Sequence, residues 1–453
     1  MRTVRLQDTL SGEQRELSPR EDARVGIYAC GPTVYGPVHV GNARPYVVFA
    51  LLKRFLEHEG YEVTFVANVT DVNDKIYDAA RERGVGSEAL AREMTARYEE
   101  DTGRLGLGRP DHEPKASETI DGIVDLIQAL IDRGHAYAAD GDVYFRTAAY
   151  GEYGKLSNRS LDEMEQGEDD VGAAKEQAQD FALWKARKPG EDTWWAAPWG
   201  EGRPGWHIEC SAMAEGILGL DFEIHGGGAD LIFPHHENEI AQTEAGRGRP
   251  LARIWMHNGM LQFRDEKMSK SVGNIALLGE ALDTVGAETL IMYFVKRHYR
   301  QPAPYSEAAL EDARASAARI RDLVGRLSPG APGPDDARVE RFYDQLASDF
   351  NTPGALVEVF DWVSDANRRI DAGEAVGPGR LPELLHVLGL DSLLEDEDAP
   401  DPDALRLLDE REAARRERDF ATADARRDEL AALGWEVRDT PGGPRLVRAD
   451  RRS

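Results

Sequence analysis

Residues 25–29 read Val-Gly-Ile-Tyr-Ala, an apolar run that predicts a β-strand, and residues 30–33 read Cys-Gly-Pro-Thr, which interrupts it. Apolar residues then recur at helical spacing over 46–59, and Gly60 ends that pattern. Residues 63–67 predict the next strand. This strand–helix–strand order is typical of a parallel sheet covered by helices, so the predicted fold class is α/β.

The remaining pattern predicts one α/β domain that an insertion divides into two halves. Strand–loop–helix character returns over 221–248, and composition breaks follow at 327–334 and 395–403. We expect a Rossmann-like parallel-sheet domain, a helical bundle and a small C-terminal α+β module. The predicted boundaries are 1–120 and 205–305 for the two halves of the sheet domain, 121–204 for the insertion, 306–400 for the bundle and 401–453 for the module.

The C-terminal stretch is predicted to form one long charged helix over 404–433, followed by short strands at 435–439 and 445–447. Residues 411–453 contain eleven arginines and nine acidic residues, a net charge of +2, whereas the whole chain carries −28. The overall charge excludes a basic field spread over the whole molecule. Any nucleic-acid partner must therefore be held by local basic patches.

Composition excludes several classes of protein. The 453 residues are 41% hydrophobic and 30% charged, which does not fit a disordered or collagen-like chain. We find no apolar stretch of membrane-spanning length and no apolar signal segment at the start. The chain has only two cysteines, Cys30 and Cys210. These features predict a protein of the reducing cytoplasm without a membrane partner.

Histidines are concentrated in one part of the sequence. Of the 11 in the chain, five lie between residues 207 and 257, together with Cys210. A single histidine is more often structural than a metal ligand. A cluster beside a thiol and carboxylates favours a binding site.

Residues 233–239, which read Phe-Pro-His-His-Glu-Asn-Glu, contain candidate metal ligands. The proline favours a helix start, so that Glu239 lies four residues after His235 and three after His236. With the two cysteines, either histidine would complete a Cys₂-His-Glu set, which suits tetrahedral zinc. Spacing alone leaves both histidines open, and cysteines that only pack in the core remain the alternative.

Three further stretches suit a nucleotide. Residues 37–42 read Pro-Val-His-Val-Gly-Asn and lie between the first strand and helix, where backbone N–H groups, the glycine and His39 can approach a phosphate. Residues 267–271 read Lys-Met-Ser-Lys-Ser, and two lysines would stabilise charge on a triphosphate. Residues 223–230 contain three glycines that allow close approach, and Asp230 could bind a ribose hydroxyl or an ammonium group.

Read together and in this order, these stretches resemble the cysteinyl-tRNA synthetase family of class I aminoacyl-tRNA synthetases. Residues 39–42 look like the HIGH motif, and residues 267–271 match the KMSKS motif letter for letter. These two motifs specify the class, whereas the zinc-site stretches point to cysteine. The similarity runs essentially from end to end, and its further stretches are 68–76, 205–213, 225–230, 233–239, 255–259 and 349–353.

The resemblance implies a cysteine–tRNA ligase. Such an enzyme uses ATP to activate L-cysteine as cysteinyl-adenylate, transfers the cysteinyl group to tRNA(Cys), and selects the substrate thiolate with zinc. The resemblance also implies one Zn²⁺ per chain, Mg²⁺ bound with ATP and a monomeric protein. The Arg-rich tail and the helical region would hold the tRNA.

Family residues carry over by position. The implied zinc ligands are Cys30, Cys210, His235 and Glu239. Residues near the bound cysteine would be Thr70, Trp206 and Asp230. Contacts to ATP or the adenylate would come from His39, Gly41, His225, Gly226, Gly227, His257 and Lys270. The implied catalytic residues are His39, Asn42, Lys267 and Lys270.

Zinc suits this task because cysteine and serine differ by one atom, which shape alone separates only about 10–200-fold. A soft thiolate binds zinc in preference to a hydroxyl, so discrimination is built into the first binding step. We therefore expect no hydrolytic editing domain.

One position departs from the family pattern. Asn42 stands where the HIGH motif usually ends in histidine. Asparagine can donate a hydrogen bond but cannot carry a charge, so we expect activity to persist with a weaker phosphate contact.

Two alternatives to the tRNA ligase are compatible with parts of the sequence. One is a cysteine ligase with an amino-sugar acceptor, like the related mycothiol-pathway enzymes, which lack a tRNA-reading C-terminal module. The other is a zinc-containing RNA-binding paralogue without catalysis, which Asn42 alone supports.

Overall fold

The computed structural model describes residues 2–160, 175–263, 277–333, 336–395, 402–417, 419–440 and 443–448. The chain forms two compact units, Met1–Asp391 and Ser392–Ser453. No helix among the described residues combines the length and the apolar character needed to cross a membrane.

A four-stranded parallel sheet forms the centre of the first unit. Its strands in spatial order are β11 (Ala252–Asn258), β10 (Phe222–Gly228), β3 (Arg24–Ala29) and β4 (Glu62–Ala67). All neighbouring pairs are parallel. The strands predicted over 25–29 and 63–67 are thus confirmed, each beginning one residue earlier, and so is the α/β fold class.

Helix α1 (Val40–His58) begins at Val40, so its predicted start at residue 46 was wrong. The His39 ring nitrogen Nδ1 accepts a hydrogen bond from the Gly41 N–H, and the Asn42 side-chain oxygen accepts one from the His39 N–H, both at 3.1 Å. This reciprocal capping satisfies N–H groups of the first turn. The helix therefore starts directly after His39, ahead of the apolar pattern that predicted it.

Close packing joins helix α1 to the sheet. Phe49 is fully buried, and a Cβ atom at Gly226 would overlap its ring and lie 2.7 Å from the Met256 carbonyl oxygen. Only glycine fits at this position of β10. Two more helices follow the insertion in sequence, α5 (Trp206–Leu218) and α6 (Glu237–Arg247).

The insertion contains an antiparallel sheet that the sequence analysis did not predict. It follows helix α4 (Ile120–Asp132). Ile123, Leu126 and Trp184 are fully buried in a shared core. The sheet order is β5-β6-β7-β9-β8, with bounds Ala136–Ala139, Asp142–Phe145, Phe181–Ala186, Gly200–Pro204 and Trp195–Ala197.

The helical character predicted for residues 306–400 is confirmed. Its helices are α9 (Glu307–Val324), α10 (Asp336–Ala347), α11 (Thr352–Asp371) and α12 (Leu381–Val387). The other elements of the first unit are β1 (Arg5–Gln7), β2 (Gln14–Glu16), α2 (Asp74–Arg83), α3 (Ser87–Gly103), β12 (Leu261–Phe263), α7 (Leu278–Val285), α8 (Ala287–Val295) and β13 (Ala303–Tyr305). The detailed domain boundaries stay a prediction.

The C-terminal unit contains two helices, α13 (Pro402–Glu417) and α14 (Phe420–Ala432), so the single helix predicted over 404–433 was wrong. Asp419 starts the second helix because its carboxylate accepts a hydrogen bond from the Thr422 N–H at 3.1 Å. The two predicted strands are confirmed as an antiparallel pair, β14 (Trp435–Thr440) and β15 (Gly443–Arg448).

Phe49→Ala should strongly destabilise the sheet domain. Phe49 is 0% exposed, and removing a buried phenylalanine ring costs about 3–5 kcal/mol. Phe420→Ala makes the same chemical change at a residue that is 64% exposed, so the expected cost is below about 0.5 kcal/mol. Urea unfolding of both variants tests this difference, and equal losses of stability would contradict the packing described here.

Candidate functional site

A cleft of about 580 Å³ opens at the carboxyl ends of β3, β10 and β11, beside the start of α1. This is where parallel α/β sheets commonly bind ligands. The predicted site residues that line the cleft are Cys30, His39, Gly41, Asn42, Trp206 and Asp230. Thr70, His225, Gly226, Gly227 and His257 are buried around it and do not line it. Lys267 and Lys270 lie outside the described residues.

The His39 imidazole is oriented by the backbone at the start of α1. Because Nδ1 accepts the Gly41 N–H, the proton of the neutral ring is on Nε2. Burial lowers the pKa of His39, so the ring is neutral near pH 7. His39 can thus donate one hydrogen bond from Nε2 next to the N–H groups of the helix start, an arrangement suited to an anion.

Asn42 has a structural part in the same turn. Its side-chain oxygen accepts the His39 N–H, so it helps to hold the loop that carries His39. Asparagine at this position, where the family usually has histidine, therefore still provides a side chain that caps the helix.

Four side chains predicted as metal ligands come together below the cleft. One donor atom from each of Cys30, Cys210, His235 and Glu239 lies within 4.8 Å of all the others. They come from different elements, because Cys30 directly follows β3, Cys210 lies in α5, His235 precedes α6 and Glu239 is in its first turn. His235 Nε2 is 3.2 Å from the Glu239 carboxylate.

A second set of four donors shares two of these residues. Cys30, His225, His236 and Glu239 meet the same 4.8 Å criterion. His236 Nε2 is 3.3 Å from Cys30 Sγ, and His225 Nε2 is 3.6 Å from it. The positions of the donor atoms therefore do not decide which of His235 and His236 is the metal ligand, just as the sequence spacing did not.

Other side chains fix the orientation of both rings. His235 Nδ1 lies 2.9 Å from His207 Nδ1, and His236 Nδ1 lies 2.7 Å from His257 Nε2. Such partners on the second ring nitrogen set which nitrogen faces a metal. Thr9, which the sequence analysis missed, extends this chain because its hydroxyl is 2.7 Å from His257 Nδ1. No local motif marks Thr9, since 248 residues separate the two.

The buried Glu239 carboxylate shows that the cluster suits a metal cation. Glu239 is 0% exposed, and within the described part of the chain its ion-pair partners are three histidines rather than a lysine or arginine. Burial lowers the pKa of His235 to about 3 and that of His236 well below its ordinary value, so both rings are neutral near pH 7. A buried carboxylate without a cation is costly, and a bound divalent ion would compensate it.

The two thiols fit the same conclusion. Burial raises the pKa of Cys30 well above its ordinary value, and the pKa of Cys210 is also raised. Without a cation both remain protonated, whereas a metal ion drives thiol deprotonation. Two thiols, an imidazole and a carboxylate form a donor set that zinc accepts.

Arg44 is a further residue that the sequence analysis missed. It lies two residues after Asn42 in α1, and its side chain is buried at 2% exposure. Its guanidinium donates to the carbonyl oxygens of Gly259 and Gln301, the latter at 2.9 Å. Arg44 therefore ties the start of α1 to Gly259, which directly follows β11 and lines the cleft, and to Gln301.

Acid should destabilise this cluster well above the pH at which carboxylates titrate. Burial lowers the pKa of His207, His235 and His257 to about 3, whereas an unfolded chain protonates histidine near pH 6.5. Between these values the unfolded chain binds more protons, so the free energy of unfolding falls as the pH falls. We expect the urea midpoint of chelator-treated protein to decrease from pH 7 to pH 5.

Two variants test the origin of this slope. His257→Gln removes one such imidazole and should make the decrease shallower. Thr9→Val removes the hydrogen-bond partner of His257 but no imidazole, so it should lower stability and keep the wild-type slope. Equal slopes in the wild type and His257→Gln would contradict this origin.

Comparison with known proteins finds similarity to cysteinyl-tRNA synthetases along nearly the whole chain. Residues 16–315 match the family described as tRNA synthetases class I (C) catalytic domain, residues 341–390 match the DALR domain, and residues 398–444 match the cysteinyl-tRNA ligase anticodon binding domain. The alternative with an amino-sugar acceptor is an enzyme that lacks a tRNA-reading module. The last two matches therefore do not support it.

Two curated relatives are cysteine–tRNA ligases. The one from Geobacillus sp. (strain WCH70) is 44% identical over 468 residues, which cover 99% of this chain and 100% of the relative. The one from Halorhodospira halophila is 44% identical over 458 residues, covering 98% and 99%.

Solved structures support the fold. Mycobacterium tuberculosis methionyl-tRNA synthetase in complex with methionyl-adenylate superposes with a TM-score of 0.58 at 17% identity, covering 82% of this chain and 88% of that one. The Agrobacterium radiobacter LeuRS in a ternary complex superposes with a TM-score of 0.57 at 10% identity, covering 83% and 84%. The chain belongs to the cysteine–tRNA ligase family of class I aminoacyl-tRNA synthetases and is an aminoacyl-tRNA ligase.

Proposed function

We propose that the chain activates L-cysteine with ATP to cysteinyl-adenylate, transfers the cysteinyl group to tRNA(Cys), and selects cysteine through a zinc ion. The observation that carries this proposal is the buried donor set beside the cleft, in which two thiols, a histidine and a carboxylate lie within 4.8 Å of one another. Cysteine carries the thiol that such an ion binds as a thiolate.

Cys30, Cys210, His235 and Glu239 would hold the zinc. When bound, the ion supplies a Lewis acid that prefers the cysteine thiolate to the serine hydroxyl. The chain itself shapes the neighbouring wall: the Trp206 ring lies 4.3 Å from the His235 ring, so its position is fixed against the donor set.

Asp230 and Thr70 would complete the amino-acid site. The Asp230 carboxylate lines the cleft and can bind the substrate ammonium group. Thr70 is buried, and its N–H donates to the Pro32 carbonyl oxygen at 3.1 Å, which joins the loop after β3 to the loop after β4. Thr70 would thus hold the loop that follows Cys30 beside the amino-acid site.

Activation then requires charge stabilisation rather than a protein nucleophile. A carboxylate oxygen of cysteine attacks the α-phosphorus of ATP, which enters as its Mg²⁺ complex, and pyrophosphate leaves with the electron pair of the broken P–O bond. His39 Nε2–H and the N–H groups at the start of α1 would donate to phosphate oxygens, with Asn42 holding this loop. Lys267 and Lys270 are proposed to neutralise the departing phosphates.

The adenylate would lie over β10 and β11. Gly41, Gly226, Gly227, His225 and His257 are the proposed contacts, the last four of them in these two strands. In the second step the terminal ribose hydroxyl of tRNA attacks the acyl carbon, and AMP leaves.

The Arg-rich C-terminal unit and the helical region are proposed to hold the tRNA mainly through phosphates. Both cysteines are free thiols, which suits the reducing cytoplasm, and we propose that the protein acts there as a monomer.

Cysteine-dependent ATP–pyrophosphate exchange and charging of tRNA(Cys) test the reaction. We expect exchange with cysteine to exceed exchange with serine by well over the roughly 200-fold that shape alone can give. Equal exchange with the two amino acids would refute zinc-based selection, and exchange without charging of tRNA would refute the tRNA acceptor.

Two variants separate the two possible donor sets. Cys210→Ser should reduce the zinc content from about one ion per chain to near zero and abolish the preference for cysteine, because Cys210 belongs only to the set with His235. His236→Gln removes a ligand of the other set only, so it should retain zinc. Zinc content measured by mass spectrometry checks both, and the reverse outcome would assign His225 and His236 as ligands.

A further inference from the structure

Tyr35 presents an exposed aromatic ring at the mouth of the cleft. The ring is 49% exposed, although the preceding Val34 is fully buried. The backbone here is well held, since the Val34 N–H donates to the Thr70 carbonyl oxygen at 3.1 Å and the Tyr35 N–H donates to the Thr33 carbonyl oxygen at 3.1 Å. The exposure of the ring is therefore imposed by an ordered loop. An exposed ring of this kind can serve as a stacking surface.

Lys75 lies against this ring. Its Nζ is 5.6 Å from the centroid of Tyr35, within range of a cation–π contact. The Lys75 N–H donates to the Asn73 side chain at 3.1 Å, which fixes the lysine at the start of α2. In the part of the chain that the structure describes, no carboxylate forms an ion pair with Lys75. Its charge therefore remains available to a phosphate.

A second cavity of about 540 Å³ continues from the cleft and shares Thr33, Lys75 and Trp206 with it. Five basic and three acidic side chains line this cavity. Asp74 is already bound there by Arg203 and by Lys185, the latter at 2.9 Å. The neighbouring cavity of about 590 Å³ is lined by two basic and five acidic side chains, as expected for a chain with a net charge of −28. The cavity beside Lys75 is thus a local basic exception.

A stacking ring, a lysine without an ion-pair partner among the described residues, and a basic cavity beside the cleft are the features with which proteins bind single-stranded nucleic acid. We propose that Tyr35 and Lys75 receive the single-stranded 3′ end of tRNA, one base stacking on Tyr35 and one phosphate lying at Lys75. This inference rests on the proposed function, because the acyl group must pass to the 3′ end within this cleft.

The test compares binding of intact tRNA(Cys) with binding of the same tRNA lacking its single-stranded 3′ nucleotides. For intact tRNA we expect Tyr35→Ala to raise the Kd about tenfold and Tyr35→Phe to leave it near the wild-type value. Lys75→Gln should raise the Kd and reduce the slope of log Kd against log salt by about 0.7. For truncated tRNA all these variants should match the wild type.

Lys155→Gln is the matched control. Lys155 also lies over a tyrosine ring, Tyr150, at 5.9 Å, but it lines neither the cleft nor the basic cavity. Its Kd for intact tRNA should stay within about twofold of the wild type.

Three outcomes would overturn the inference. These are an unchanged Kd for intact tRNA in Tyr35→Ala and Lys75→Gln, an equal penalty on truncated tRNA, or a larger effect on the KM for ATP in the exchange reaction than on the Kd for tRNA. Wild-type protein that performs no cysteine-dependent exchange would instead refute the proposed function, so the two failures can be told apart.

Discussion

The site is organised around one buried carboxylate that lacks a basic partner. Glu239 is fully enclosed, and its ion-pair partners within the described residues are three histidines and not a lysine or arginine. An uncompensated charge at such depth is normally removed by evolution or matched by a cation. Two thiols lie close to this carboxylate, and a bound metal would displace their protons. The histidine chain through His257 to Thr9 then holds the rings in place around this centre.

The topology of the parallel sheet brings the donors together. Strands β3 and β10 are neighbours although about two hundred residues separate them in sequence, because the insertion sits between the two halves of the domain. Cys30 follows the first of these strands, and the Phe49 ring fills the space left by Gly226 in the second. A parallel pairing places both carboxyl ends at one edge. The insertion can therefore be large without separating the parts of the site.

The sequence predicted elements that local patterns encode. The strands over 25–29 and 63–67 follow from apolar runs between turn residues. The clustering of histidine beside a cysteine indicated a binding site, and the resemblance to the family implied the four donors. The start of α1 was missed because His39 and Asn42 form a capping pair outside the usual residue types.

Features that depend on distant contacts could not be predicted. The antiparallel sheet of the insertion consists of strands of three to six residues whose polar and aromatic composition carries little periodicity. The position of Lys75 over Tyr35 depends on the pairing of two loops and has no local signature. Neither the spacing nor the positions of the rings decides between His235 and His236, because both rings face the same carboxylate.

The basic cavity in a strongly acidic chain has a consequence for how the enzyme meets a polyanion. At about 0.15 M salt the Debye length is about 8 Å, so the net charge of −28 repels a distant nucleic acid only weakly. The attraction of the cavity wall is equally short-ranged. The encounter is therefore not guided by long-range electrostatic steering. Partners are distinguished after contact with the surface, by whether a flexible end of the partner can enter the cavity.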